Sequence, residues 1–161
     1  MSNIITVGIS QINMARAPDV LVTYALGSCV GICLYDPSTR IGGLSHIMLP
    51  SSKMSLSKDN IYKFADTAIV ELVKGMESMG AKRSRIVAKI AGGAQMFSGL
   101  TSSSIANIGQ RNVAAVKETL AELKIPIVGE DVGKDYGRTL FFYPEDGRVR
   151  IKSANKGEWT W

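Results

Sequence analysis

The chain has 161 residues, of which 45% are hydrophobic and 20% are charged, and its formal net charge is +5. This balance excludes a disordered or fibrous chain and is sufficient for one buried core. The N-terminal residues contain neither a basic segment nor a long apolar run, and the best apolar stretch, residues 24–35, is far shorter than the roughly 20 residues that span a bilayer. We therefore expect a single domain over residues 1–161 that is soluble, cytoplasmic and not inserted in a membrane.

The basic residues are scattered in small groups, at residues 82–85 and 148–152. Neither zinc-finger spacing nor an aromatic–basic RNA motif accompanies them, so nucleic acid is not an expected partner. A solvated surface explains the charge more simply than attraction to an acidic partner.

The first part of the chain predicts four strands. Residues 4–9 and 19–26 are rich in β-branched residues, which favour strands. Two further apolar runs, 30–35 and 41–49, flank the sequence DPST at residues 36–39. Asp followed by Pro suits a type I turn, so we expect these two runs to form a hairpin.

Two amphipathic helices follow. Apolar residues recur at spacings of three and four between residues 61 and 76, which predicts a helix over roughly 58–79 that ends at Gly80. A second helix is expected to begin at Asn107, whose side chain would cap it with Gln110 as the reciprocal partner.

Short strands are predicted at 85–90, 125–128, 139–143 and 148–151. The tail, residues 153–161, contains both tryptophans and is either disordered or docked on a surface. The order of strands, helix, strand, helix and strands predicts an α+β fold, with layered mixed β-sheets and two main amphipathic helices packed on them.

Both cysteines and the only histidine lie between residues 26 and 50. Cys29 and Cys33 would be about 13 Å apart along a strand, too far for a disulfide. Together with His46 they offer three metal ligands, whereas a structural zinc site uses four, so we expect no metal.

The hairpin suggests a role for the thiol. If residues 36–39 form the loop, paired residues have index sums of 75 and Cys29 lies opposite His46, with Cβ atoms about 4.5–5.5 Å apart. A five-residue loop, or a bulge at Gly42 and Gly43, would shift this register. The imidazole would take the thiol proton and return it to a leaving amine, and a thiolate–imidazolium pair would lower the thiol pKa. The alternative is that Cys29 is a small core residue.

Other residues complete this candidate site. The backbone N–H groups of Gly27 and Ser28 are candidates for an oxyanion hole. Thr23, on the preceding strand, is the nearest group that can accept the imidazole N–H. We expect Gly31 to leave room for a substrate and Cys33 to lie in the core.

The segments LVTYALGSCVGICLYDP and GGLSHIMLP resemble the CheD family of chemoreceptor glutamine deamidases. The segments AKIAGGAQMF, NIGQRNVAAVKETL and EDVGKDYGR extend the resemblance over almost the whole chain. The resemblance implies that Cys29, His46 and Thr23 are catalytic, that no cofactor is required, and that the fold is similar to the catalytic domain of cytotoxic necrotizing factor. In one departure, Gly133 is followed by Lys134 and Asp135 where the family pattern has GGN.

The resemblance also implies an activity and partners. Specific glutamines on the cytoplasmic helices of chemoreceptors would become glutamates with release of ammonia, and CheC, a phosphatase of phosphorylated CheY, is a partner of many members. Two alternatives stay open: a non-catalytic adaptor that binds and modulates CheC, and a cysteine amidase or esterase acting on small molecules. Met96 and Phe97 either contact a partner or pack inward.

Overall fold

The computed structural model describes residues 2–55, 60–96 and 107–161. Within them the chain forms ten strands, two α-helices and three short 3-10 helices. The strands are β1 Ile4–Thr6, β2 Gln11–Arg16, β3 Val20–Leu26, β4 Val30–Asp36, β5 Ile41–Ile47, β6 Val87–Gly92, β7 Ile127–Val132, β8 Arg138–Phe142, β9 Val149–Ser153 and β10 Gly157–Thr160. The helices are α1 Ala65–Met79 and α2 Ile108–Glu122, with 3-10 helices at Ser52–Met54, Ile61–Lys63 and Arg83–Arg85.

The strands form two five-stranded sheets. The outer sheet has the order β1-β3-β8-β9-β10, and the central sheet has the order β2-β5-β4-β6-β7. Both are mixed, because β1 pairs with β3 and β6 pairs with β7 in parallel while the other pairs are antiparallel. The predicted α+β fold, with mixed sheets and two helices, is confirmed.

The central sheet is buried on both faces. One face packs against α1 and α2, and the other packs against the outer sheet. The helix-side core includes Val30, Ile32, Leu34, Ile69, Leu72, Val116 and Leu120. The core between the sheets includes Leu21, Leu26, Cys33, Leu44, Leu140 and Phe142. Every residue of β5 is consequently buried, whereas β2, at the edge, has exposed residues.

The β4–β5 hairpin is formed as predicted, but its predicted register is wrong. Asp36 pairs with Ile41 and Gly31 pairs with His46, so the index sum is 77 and the loop is residues 37–40. The Asp36 carboxylate accepts hydrogen bonds from Arg85 and from the Lys82 backbone N–H, which hold Asp36 at the end of the strand.

The first helix begins later than predicted. Phe64 is extended (φ −113°, ψ 141°), and the carbonyl of Lys63 accepts hydrogen bonds from the backbone N–H groups of Met48 (2.9 Å) and Leu49 (3.1 Å). These contacts join the segment to the end of β5, so α1 starts only at Ala65. The predicted end is confirmed, since Gly80 adopts φ 115° directly after Met79.

The second helix begins next to Asn107 as predicted, but the predicted capping box is wrong. Asn107 has φ −112° and ψ 18°, not the extended conformation of an N-cap, and its side chain makes no capping hydrogen bond. Instead, the start of the helix packs closely against the backbone that follows β6. The approach is so close that a Cβ on Gly109 would lie 2.3 Å from the Ala94 carbonyl oxygen.

Two strands lie where none was predicted. The polar segment before Pro18 contains β2, which pairs with β5 at the edge of the central sheet. In the tail, β10 pairs with β9, and the Trp159 indole N–H donates to Asp131 at 2.7 Å. The tail is therefore docked on the outer sheet.

Candidate active site

The chain crosses from the outer sheet to the central sheet at residues 27–29, which connect β3 to β4. Just before this connection the pairing of β3 with β8 shifts between Thr23 and Leu26, and Ala25 adopts φ 60°. Such a bulge changes the direction of the strand. The backbone N–H groups of Gly93 and Ala94 donate to the carbonyls of Cys29 and Gly27, both at 2.8 Å, and hold the connection in place.

A hydrogen bond joins the two sheets beside this connection. Thr23 Oγ1, on β3, lies 2.7 Å from His46 Nδ1, on β5, and both side chains are fully buried. The same hydroxyl donates to the carbonyl of Val7 at 2.6 Å. A hydroxyl has only one hydrogen, so Thr23 must accept from the Nδ1–H of the imidazole.

This contact defines the state of His46. With the proton on Nδ1, the neutral ring carries a lone pair on Nε2. Nε2 is buried and has no hydrogen-bond partner among the residues that the structure describes. Burial lowers the pKa of His46 to about 4, so the imidazole is neutral at pH 7 and can act as a base.

Cys29 is not directly opposite the imidazole, because Gly31 occupies that position. Cys29 lies two residues before Gly31, in the connection just before β4 begins at Val30, and so beyond the last β4–β5 pair. It packs, partly buried, against the core between the sheets, the region that also contains the Thr23–His46 hydrogen bond. The thiol and the imidazole therefore face the same space between the sheets.

The prediction of a lowered thiol pKa is wrong. Burial raises the pKa of Cys29, and the opposing effect of its own backbone N–H is smaller. The resting pair is consequently a neutral thiol and a neutral imidazole. Cys33 lies in the core as predicted, and burial raises its pKa further.

Two sequence predictions about the surrounding glycines are corrected. The Gly27 N–H donates to the Ala25 carbonyl at 3.1 Å and is not free. By contrast, the backbone N–H of Ser28 has no hydrogen-bond acceptor in the described part of the chain, while that of Cys29 interacts with its own thiol. The space at Gly31 is filled by leucines, since a Cβ there would lie 3.2 Å from the Cδ1 atoms of Leu26 and Leu140.

Comparison with known proteins gives matches over nearly the whole chain. The family model described as CheD chemotactic sensory transduction matches residues 48–153. The probable chemoreceptor glutamine deamidase CheD of Moorella thermoacetica is 54% identical over 153 residues, which cover 94% of this chain and 92% of the relative. The chemoreceptor glutamine deamidase CheD of Halalkalibacterium halodurans is 46% identical over 159 residues, 98% of each chain.

This chain belongs to the CheD family. The family model begins at Met48, after His46, so this match does not depend on Thr23, Cys29 or His46. The relative from Caldanaerobacter subterraneus, also named probable chemoreceptor glutamine deamidase CheD, is 51% identical over 156 residues, 97% of this chain and 96% of the relative.

Sequence reasoning missed one residue that contacts the site of this CheD-family chain. Asn112, on α2, is fully buried, and its amide nitrogen donates to the Ser28 carbonyl at 2.9 Å and the Met48 carbonyl at 3.0 Å. A signal was present, because Asn112 lies four residues before Val116 and therefore on the apolar face of the helix. A polar residue at such a position requires partners.

The rim of the site carries exposed apolar side chains. Met96 is 44% exposed, and its Cγ lies 3.4 Å from the position of a Cβ on Gly27. Tyr24, in the bulge of β3, is also exposed.

Phe97 lies outside the described residues, and Lys134, at the departure from the family pattern, adopts φ 65°. In the described ranges, none of the helices has the length and apolar character required to cross a membrane.

Proposed function

We propose that this CheD-family chain is a protein-glutamine deamidase that converts specific glutamine side chains of chemoreceptors to glutamate and releases ammonia. The observation that carries the proposal is the Thr23–His46 hydrogen bond, which leaves Nε2 of a neutral imidazole free as a base facing the same space as Cys29. The names of the relatives, chemoreceptor glutamine deamidase, supply the substrate class.

The first step is attack by Cys29 on the glutamine carboxamide. The S–C bond forms while the thiol proton passes to His46 Nε2, so general-base catalysis replaces a pre-formed thiolate. We infer that the backbone N–H of Ser28, which has no acceptor among the described residues, donates to the oxyanion of the tetrahedral intermediate. Loss of one such donor typically costs about 3–4 kcal/mol of transition-state stabilisation.

The second step is loss of ammonia. The imidazolium of His46 returns its proton to the amide nitrogen, the C–N bond breaks, and a thioester with Cys29 remains. Because burial lowers the pKa of His46 to about 4, its imidazolium is a stronger acid than an ordinary imidazolium and gives up the proton readily. Thr23 accepts the Nδ1–H throughout and keeps the ring in one orientation.

The third step is hydrolysis. His46 Nε2 takes a proton from water, the oxygen attacks the thioester, and the intermediate collapses to a carboxylic acid while the thiol regains its proton. The sum is a carboxamide and water giving a carboxylate and ammonium. The cycle needs neither metal nor cofactor.

We infer that the substrate enters from the side of the site where Cys29 is exposed. His46 is fully buried, whereas Cys29 is partly exposed, so the long, unbranched glutamine side chain must extend inward past the loop of residues 27–29. The exposed Met96 and Tyr24 near this loop suit the apolar face of a receptor helix. A protein side chain presented from a helix therefore fits better than a small free molecule.

Several further properties are inferred from the family resemblance. We infer that residues 1–161 form one deamidase domain that acts in the cytoplasm, where receptor signalling helices lie. CheC is inferred as a second partner, and the fold is inferred to be similar to the catalytic domain of cytotoxic necrotizing factor. Co-purification with CheC and superposition on that domain test the last two inferences.

The test of the activity compares two cysteine variants. A chemoreceptor cytoplasmic fragment is incubated with wild type, Cys29→Ala or Cys33→Ala, and tryptic peptides are weighed for conversion of glutamine to glutamate. We expect conversion by wild type and by Cys33→Ala, because Cys33 is a core residue, and none by Cys29→Ala. Equal conversion by folded Cys29→Ala would overturn the proposed nucleophile and would favour the adaptor function.

A further inference from the structure

Asn112 ties together the two segments that carry the candidate nucleophile and base. Its amide nitrogen donates to the carbonyl of Ser28, one residue before Cys29, and to the carbonyl of Met48, two residues after His46. Asn112 is fully buried and lies on α2, so its hydrogen bonds link this helix to the connection of residues 27–29 between the two sheets.

We propose that Asn112 is a positioning residue of the deamidation reaction, which holds Cys29 at the distance and angle from His46 that proton transfer requires. The inference rests on the proposed function, because it concerns the same thiol and imidazole. Asn112 does not act on the substrate itself. Its effect passes through the loop of residues 27–29 and the end of β5.

The chemistry of the side chain fits this role. A carboxamide supplies two N–H donors from one nitrogen, and both are used on backbone carbonyls. An aspartate would place an oxygen against those carbonyls, and an alanine would leave both carbonyls unpaired. The Asn112 amide satisfies both acceptors from a single nitrogen.

Helix propensity and side-chain burial alone do not favour an asparagine here. Oδ1 of Asn112 is buried without a hydrogen-bond partner among the described residues, and an unpaired buried acceptor is unfavourable. Asparagine is also a poor residue for the interior of a helix. An apolar side chain would avoid these two costs but would leave the carbonyls of Ser28 and Met48 unpaired, so the specific contribution of Asn112 is the link between the two segments.

The expected effect is on the chemical step. Misplacing a reacting group by about 1 Å can cost about 100-fold in rate. We expect kcat to fall about 100-fold in Asn112→Ala and Asn112→Asp, with little change in KM, because Asn112 is buried and does not contact the substrate. Freed from the helix, the loop would also expose Cys29.

The experiment measures kcat and KM for receptor-fragment deamidation and the rate of iodoacetamide labelling of each cysteine by mass spectrometry. Leu120→Ala is the matched control, since Leu120 is buried on the same helix about 12 Å farther along and its loss also lowers stability. Cys33 reports global unfolding, because it is labelled only if the core opens.

We expect both Asn112 variants to deamidate about 100-fold more slowly than wild type while Cys29 is labelled faster and Cys33 stays protected. Leu120→Ala should retain wild-type kcat and Cys29 labelling at temperatures where it is folded. The proposal is overturned if the Asn112 variants keep wild-type kcat. It is also overturned if their kcat falls no more than that of Leu120→Ala when the variants are compared at equal stability. Activity in Cys29→Ala would instead reject the proposed function, and Cys29 labelling would still show whether Asn112 holds the loop.

Discussion

At the scale of single residues, the candidate site depends on one hydroxyl. Thr23 donates to Val7 and therefore accepts from His46, which assigns the proton to Nδ1 and the lone pair to Nε2. Burial acts in the same direction, because it favours the neutral ring. Both effects keep Nε2 unprotonated at pH 7 and so available to accept a proton, although burial also makes the ring a weaker base, and burial keeps the proton on Cys29 until attack.

The Thr23 contact gives a direct prediction. Thr23→Val removes the acceptor and leaves the Nδ1–H of His46 buried and unpaired, a cost of about 1–3 kcal/mol that the ring escapes by changing tautomer or rotating. We expect kcat to fall about tenfold to 100-fold. Thr23→Ser keeps the hydroxyl and should retain most of the activity, measured as glutamine-to-glutamate conversion of a receptor fragment. Equal losses in both variants would show that the hydroxyl is not what matters.

At the scale of secondary structure, periodicity predicted the elements but not their exact limits. The 3.6-residue pattern located α1 and α2, and the DPST turn located the β4–β5 hairpin. The register was missed because Asp36 is held by Arg85 and Lys82, about 50 residues away in the chain, which no local turn rule contains. The strand β2 was missed because a polar edge strand has little apolar signal.

The Asp36 cluster makes the second prediction. Burial alone would raise the pKa of Asp36, but hydrogen bonds from Arg85, Lys82 and Ser38 lower it to about 2. The depression from 3.8 corresponds to about 2 kcal/mol, so Asp36→Asn should lose about that much stability at pH 7.

The pH dependence has a defined sign. Because the folded pKa is depressed, the stabilisation is present above pH 4 and is lost as the pH falls through about 2, with roughly half lost by pH 3. Urea unfolding of wild type and Asp36→Asn at pH 7 and pH 3 measures the difference. Asp146→Asn is the control, because its pair with Arg148 is about half exposed and should contribute less than about 1 kcal/mol. A difference that does not shrink at pH 3 would contradict the account.

At the scale of the whole molecule, the candidate site lies where the chain passes from one sheet to the other. Thr23 belongs to the outer sheet, His46 to the central sheet, and Cys29 to the connection between them. The sequence allowed these three residues to be named, since the chain has two cysteines and one histidine. It placed the thiol and the imidazole directly opposite one another within one hairpin, and it did not reveal that the two sheets stack face to face around them.

The contributions of Asn112 and of the Ser28 N–H depend on the same tertiary arrangement. Asn112 is 84 residues from Ser28 in the chain, and no local pattern pairs them. Likewise, the Gly27 N–H is unavailable to a substrate because it donates to the Ala25 carbonyl, next to the bulge in β3. Residue types therefore indicated the chemistry, while packing between the layers determined which atoms are available for it.

The central claim is that a neutral imidazole, protonated on Nδ1 and held by Thr23, is the base for Cys29. Because the chain has one histidine, ¹⁵N NMR of the imidazole observes His46 alone. The account predicts the Nδ1–H tautomer at pH 7 and protonation only near pH 4. An imidazolium at pH 7, or a neutral ring with its proton on Nε2, would contradict it.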